Sequence, residues 1–264
     1  MKKFVVIGNP REHSLSPLLH NYWIKKSGID AIYDKQKLNE DELEKNILQM
    51  KEKKISGINV TVPFKKAIIP FLDELSSEAE STQSVNTIYL RNNKVIGHNT
   101  DIFGFEISIK KSKYNIIDKE VLILGAGGVV PSIIFALNKM KISKIKISNR
   151  TKDKAENLKT IFKNIEIIEW GEVPKFDMII NATSLGLKKE DKIDLDFSST
   201  PKNKFFYDVI YNPIETNFLK IGKSLGNITL NGKLMFIYQA LSAFNIWHGL
   251  EPDVDENIIK LLDQ

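Results

Sequence analysis

The segment Val121-Leu122-Ile123-Leu124-Gly125-Ala126-Gly127-Gly128-Val129-Val130-Pro131 sets the architecture expected of this 264-residue chain. A short apolar run reads as a buried strand, the glycines as a tight turn, and Val129–Met140 as a helix. Glycines let backbone N–H groups approach a pyrophosphate, and a helix N-terminus favours negative charge there. The pattern falls short of a full G-x-G-x-x-G because Val130 takes the third glycine position, which leaves a plain βα turn as the simpler alternative. Val121 to Asn138 carries no charge, but the glycines and Pro131 interrupt it, so it predicts strand, turn and helix rather than a membrane span.

Further strands are expected downstream at Lys144–Ser148, Glu166–Glu169, Met178–Asn181 and Phe205–Val209, with a helix at Lys152–Lys163. Upstream, strands are expected at Phe4–Ile7, Ala31–Lys37 and Ile58–Val62. Helices are expected at Pro17–Ser27, with Ser16 as N-cap, at Asp41–Lys53 and at Phe64–Leu75. Val85–Leu90 and Lys94–Gly97 form a hairpin about Asn92-Asn93. Strands alternating with helices imply mostly parallel sheets covered on both faces. The last forty residues read as helical, clearest at Leu234–Trp247 and Asp255–Leu262. The fold class is therefore α/β in two domains with a cleft between them, the boundary near Asp101 and a connecting helix at Ile102–Lys111.

Composition narrows the function. The net charge is +5, with Lys and Arg scattered among the acids, so a solvated surface is expected rather than a nucleic-acid stripe. There is no cysteine, which excludes disulfides, thiolate nucleophiles and Cys-ligated metals, and four scattered His residues make no case for a metal. Met1-Lys2-Lys3 and Phe4–Ile7 resemble a signal peptide only faintly, because the apolar run ends at Gly8-Asn9-Pro10-Arg11. A soluble cytoplasmic protein is the expectation.

The end of the next strand chooses the nucleotide. An NAD enzyme generally places an acid there to hold the ribose hydroxyls. This chain has Ser148-Asn149-Arg150-Thr151-Lys152, with Lys154 beyond, which suits the 2′-phosphate of NADP. Arg11, Arg91 and Arg150 are three arginines among 38 basic residues, so the chain uses lysine where charge alone matters.

Several motifs, in order, resemble the shikimate dehydrogenase family across nearly the whole chain. They are Ser14-Leu15-Ser16-Pro17 with His20-Asn21, Asn59-Val60-Thr61-Val62-Pro63-Phe64-Lys65, Val85-Asn86-Thr87 and Asn99-Thr100-Asp101. Gly125-Ala126-Gly127-Gly128, Asn149-Arg150-Thr151, Tyr211-Asn212-Pro213 with Thr216, and Asn231-Gly232 with Met235, Gln239 and Ala240 continue the series. The resemblance implies NADPH-dependent reduction of 3-dehydroshikimate to shikimate, a step in making aromatic amino acids. It implies Lys65 and Asp101 as the catalytic pair. It further implies Ser14 and Ser16 on the substrate carboxylate, with Asn59, Thr61, Asn86, Thr100, Tyr211 and Gln239 completing a polar wall. Cofactor contacts are implied for Gly125, Ala126, Gly127, Gly128, Val129, Asn149, Arg150, Thr151, Lys154, Thr183, Gly232 and Met235. The resemblance also implies that residues 1–101 plus 239–264 form a substrate-binding domain and that 102–238 form a Rossmann-type nucleotide domain.

Taken singly, several of these residues have plainer readings: Ser16 or Asp101 as helix caps, and Lys65 as a surface lysine. Departures from the family pattern are Val130, Pro131, Lys154 in place of a second arginine, and Thr82-Gln83-Ser84 before Val85. An NAD-linked quinate/shikimate dehydrogenase, a paralogue acting on a related ring and a non-catalytic nucleotide-sensing module are the competing functions. The expected partner is a small molecule, with neither nucleic acid nor membrane, and a homodimer is compatible with this reading.

Overall fold

Continuous apolar runs make strands buried on both faces, and Phe4–Ile7 forms the middle of such a strand, β1 (Lys2–Gly8). The computed structural model describes residues 1–8 and 14–263. Asn9-Pro10-Arg11, where the apolar run ends, lies outside the described residues. The chain divides into two units, Met1–Gly104 with Ile237–Gln264, and Phe105–Phe236.

In the first unit the strands β1, β2 (Ala31–Lys37), β3 (Gly57–Val60), β4 (Glu74–Leu75), β5 (Thr87–Arg91) and β6 (Lys94–His98) form one sheet, ordered β2-β1-β3-β5-β6-β4. One face is apolar: Val5, Ile7, Ile58, Val60 and Ile88 pack with Leu43, Ile47 and Met50 of α2 (Leu43–Lys51). The other face carries aromatic residues from α1 (Ser16–Lys26) and from the C-terminal part of the helix Lys233–His248. Gly57 is required there, because an added Cβ would lie 2.4 Å from Trp247 Nε1. The sheet is mixed: β2–β1, β1–β3 and β6–β4 pair parallel, while β3–β5 and β5–β6 are antiparallel. The hairpin causes this, with Asn92 and Asn93 both at positive φ as a tight two-residue turn demands.

In the second unit, β7 (Glu120–Leu124), β8 (Lys144–Ser148), β9 (Ile165–Ile168), β10 (Met178–Asn181), β11 (Phe205–Asp208) and β12 (Ile228–Leu230) form a wholly parallel sheet, ordered β12-β11-β10-β7-β8-β9. The order reverses beside β7, and in open parallel sheets that switch point is where ligands bind. The glycine turn follows β7 directly and leads into α5 (Val130–Lys139).

Three local expectations need correction. No α-helix forms over Phe64–Leu75: turns lead to a short 3-10 segment at Ile69–Phe71 and then to β4. Pro70 explains this, since its ring disfavours the α conformation at Ile69 and crowds the carbonyl four residues back. Ser16 does not cap α1; Leu15 holds the N-cap position without a side-chain bond, and Ser16 is the first helical residue. The helix expected over Asp41–Lys53 is split, with a 3-10 turn at Glu40–Glu42 preceding α2. The sequence reading also missed α3 (Ser77–Thr82), whose N-cap Ser76 accepts from Ala79 N, as well as β12 and the helix Asn217–Ser224. The remaining helices are α4 (Asp101–Ser112), α6 (Lys152–Leu158), α7 (Asn217–Ser224), α8 (Lys233–His248) and α9 (Glu256–Leu261). Among the described residues no helix is long and apolar enough to cross a membrane.

Candidate active site

In the first unit Lys65, in the turn after β3, and Asp101, the first residue of α4, form a buried ion pair, Nζ donating to Oδ2. Their side chains are only 11% and 8% exposed. Helix capping does not explain Asp101: its other oxygen, Oδ1, accepts from Asn86 Nδ2 at 2.9 Å, and its backbone N–H goes to Asn99 Oδ1 at 3.1 Å. Nor does stability explain the pair well. Two desolvated charges seldom outperform apolar residues of the same volume, so a buried pair speaks for chemistry.

Asn86 anchors the arrangement. Its Nδ2 donates to Thr100 Oγ1 at 2.9 Å as well as to Asp101, and lies 3.4 Å from Gln239 Oε1. Its Oδ1 accepts from Thr100 N at 2.7 Å. Asn59 on β3 donates from Nδ2 to Asn86 O and to Thr87 Oγ1, both at 3.0 Å. Lys65, Asp101, Asn86, Thr100, Gln239 and Asn59 are thus brought into one hydrogen-bonded group. Ser14 borders a surface groove with Pro17, Asn21, Lys25 and Lys35. Ser16 and Thr61 are half-buried, and neither hydroxyl bonds within the described residues. With no capping duty, Ser16 Oγ is available to a ligand. Tyr211 belongs to the second unit, where its ring stacks on Phe236 at 4.4 Å.

The second unit suits a phosphorylated dinucleotide. Gly125 has φ +111°, and an added Cβ would sit 2.8 Å from Ala182 O. At Gly127 a Cβ would meet nothing closer than Ala182 O at 4.0 Å, so its absence leaves open space above the turn at the start of α5. Val130 and Pro131 are both buried, so the bulk that departs from the family pattern points into the core. At the end of β8, Arg150 and Lys154 are exposed and form no ion pair among the described residues, whereas neighbouring Lys152 is paired with Glu169. Asn149 Nδ2 shapes this loop by donating to Thr151 O at 2.7 Å. Two unpaired cations beside a hydroxyl are the donor set a 2′-phosphate needs. Gly232 is also obligatory, since a Cβ would lie 2.1 Å from Val209 O. Met235 is buried one helical turn along.

Sequence reading missed Asp208. It is fully buried at the end of β11 and accepts from Thr216 Oγ1 (2.6 Å), Ile210 N (3.0 Å) and Asn181 Nδ2 (3.1 Å). Burial pushes its carboxyl up to about 6 against these bonds. Asn181 Oδ1 in turn accepts from Thr183 N and Oγ1, so Asp208 fixes the loop carrying Thr183. The available signal was an acid inside an otherwise apolar strand run, Phe205-Phe206-Tyr207-Asp208-Val209, together with Thr216 eight residues on.

Comparison with known proteins agrees with this geometry. A model of the shikimate dehydrogenase substrate binding domain matches residues 6–88, and one of shikimate/quinate 5-dehydrogenase matches residues 108–213. A protein named shikimate dehydrogenase (NADP(+)) from Pelagibacter ubique is 62% identical over 262 residues, 99% of each chain. The crystal structure of shikimate dehydrogenase from Aquifex aeolicus is similar with a TM-score of 0.89 and 39% identity, over 96% of this chain and 94% of that one. That of shikimate 5-dehydrogenase from Thermus thermophilus, in complex with NADP(H) and shikimate, gives a TM-score of 0.90 and 28% identity over 99% and 98%. On the matched domains and the full-length identity, this chain belongs to the shikimate dehydrogenase family.

Proposed function

We infer that this chain catalyses the reversible reduction of 3-dehydroshikimate to shikimate with NADPH. The observation that carries the reading is the buried Lys65–Asp101 pair tied to Asn86, in a chain of this family. Bound nicotinamide supplies hydride to the ring carbonyl, and accepts it in the reverse direction. Lys65 donates a proton from its ammonium to the carbonyl oxygen as negative charge gathers there, and regains one from solvent. In oxidation the hydroxyl proton passes to the Lys65–Asp101 pair. Asp101 holds Lys65 Nζ in place, and Asn86 holds Asp101. Ser14 and Ser16 bind the substrate carboxylate at the start of α1, where the helix dipole favours an anion. Asn59, Thr61, Tyr211 and Gln239 orient the ring hydroxyls, because a polyhydroxylated acid needs many fixed partners.

On the cofactor side, Gly125, Ala126, Gly127, Gly128 and Val129 hold the pyrophosphate. Asn149, Arg150, Thr151 and Lys154 hold the 2′-phosphate, and Thr183, Gly232 and Met235 flank the nicotinamide. Residues 1–101 with 239–264 act as the substrate domain and 102–238 as the cofactor domain. Cytoplasmic localisation and assembly as a homodimer complete the proposal; analytical ultracentrifugation reads the latter.

The direct test is turnover of 3-dehydroshikimate and of quinate, each with both nicotinamides, followed by the absorbance of the reduced cofactor. Turnover of 3-dehydroshikimate with NADPH as the best pair is expected; quinate with NAD as the best pair would transfer the assignment, and silence in all four would end it. Arg150→Asp removes charge-assisted bonds and adds repulsion. The NADPH-to-NADH ratio of kcat/KM is expected to fall by about a hundredfold, from the roughly 1.5–3 kcal/mol such bonds contribute. An unchanged ratio would remove Arg150 from the phosphate site.

A further inference from the structure

Tyr33 on β2 and Asn59 on β3 are separated by β1, yet the Tyr33 hydroxyl donates to Asn59 Oδ1 at 2.7 Å inside the fold. Register makes this reach feasible: Tyr33 is level with Phe4, and Phe4 with Gly57, two residues before Asn59. Side chains two apart on a strand share a face, so the phenol and the amide lie on the same side of the sheet.

Two consecutive residues of α1 hold this tyrosine. Asn21 grips its backbone, donating from Nδ2 to Tyr33 O at 2.7 Å and accepting from Tyr33 N at 2.9 Å. His20 lies flat on its ring, with centroids 4.2 Å apart and planes within 1° of parallel. Neither nitrogen of the buried His20 ring meets a hydrogen-bond partner among the described residues. Its contribution is a flat apolar face. The His20-Asn21 pair of the sequence motif, left without a role by the catalytic reading, thus acts on Tyr33.

A carboxamide offers two N–H donors and two acceptor lone pairs. Both Nδ2 hydrogens of Asn59 are engaged, by Asn86 O and Thr87 Oγ1, and Tyr33 occupies one lone pair of Oδ1. One acceptor lone pair remains. We propose that Tyr33 is a positioning residue of the substrate site: its hydroxyl pins the outer end of the Asn59 amide, so that Asn59 meets a ligand only as an acceptor and takes a substrate hydroxyl rather than a carbonyl or carboxylate. The inference rests on the assignment of Asn59 to the substrate wall. It extends that assignment by adding a residue that does not itself touch the ligand, and by fixing which ligand group can sit there. Carbonyl and hydroxyl are thereby sorted: the ketone goes to the donor Lys65, and a hydroxyl to the acceptor Asn59.

Tyr33→Phe removes one oxygen and keeps the ring on His20. Steady-state kinetics of Tyr33→Phe, Asn59→Ala and the double variant provide the test, with 3-dehydroshikimate and NADPH varied separately and thermal unfolding recorded alongside. Tyr33→Phe is expected to raise the KM for the ring acid about five- to tenfold, the scale of one well-placed hydrogen bond, with kcat and the NADPH KM within about twofold. Its effect should vanish in the Asn59→Ala background, since two residues acting through one contact are not additive. Parental kinetics in Tyr33→Phe, or an equal loss with and without Asn59, would overturn the proposal. So would a Tyr33→Phe protein that fails to fold, because the hydroxyl would then be structural. An unchanged ring-acid KM in Asn59→Ala alone would instead sink the substrate-wall assignment beneath it.

Discussion

Lys65→Ala is expected to lower kcat by roughly a hundredfold or more, the usual scale for losing a positioned acid, while the KM values stay within about twofold. The expectation follows from geometry. Lys65 is held by Asp101 in a site that excludes most solvent. Lys66, next in sequence, is exposed. Proton donation matters in the transition state far more than in ground-state binding, so the loss should fall on kcat. Asp101 keeps its bond to Asn86 in the variant, so local order should survive. Residues that work as a unit are strongly non-additive, and Lys65→Ala combined with Asp101→Ala should be scarcely slower than Lys65→Ala alone. Single-turnover measurements of hydride transfer check that chemistry rather than product release has slowed. A near-parental rate in Lys65→Ala would remove this lysine from the reaction.

The second large effect concerns stability in acid and rests on His20. Burial first, and then the charge of His248, push its pKa down from 6.5 to about 3. Between these values the unfolded chain binds a proton that the folded chain does not, so stability falls as pH drops through that window. The slope is about 1.4 kcal/mol per pH unit, or roughly 3 kcal/mol between pH 7 and pH 4. His20→Phe keeps an aromatic ring in the same place and abolishes this titration. Urea unfolding at the two pH values should show the variant losing that much less stability than the parent on acidification. Asp208 acts in the opposite sense, because its raised pKa favours the protonated folded state in acid, but it contributes equally to both proteins and cancels in the difference. Equal acid losses in parent and variant would mean that His20 is not held neutral in the fold.

Much of the architecture is written locally. The apolar run of β7, the glycines after it and the uncharged start of α5 are consecutive residues, so their conformational preferences act without help from the rest of the chain. The same holds for the Asn92-Asn93 turn, and for Leu43, Ile47 and Met50, which one helix turns to a single face. Pro70 was equally legible as a breaker, and the helix expected over Phe64–Leu75 gave it too little weight against apolar periodicity. α3 was missed for the opposite reason: five polar residues and one alanine make no apolar stripe, and a single cap at Ser76 starts the helix.

The site itself was legible only as scattered motifs. Residue types in Asn59-Val60-Thr61 or Asn99-Thr100-Asp101 state which donors and acceptors exist, not which of them meet. By itself the sequence determined the two α/β units, the glycine turn at the switch point and the cation at the end of β8. Tertiary structure alone decided that Asp101 holds Lys65 instead of capping a helix, that Tyr33 reaches Asn59 across β1, and that Asp208 fastens the Thr183 loop. The reason is physical: turns and helices depend on neighbours a few residues away, whereas these hydrogen bonds join residues 26 to 36 apart whose meeting depends on strand order and register.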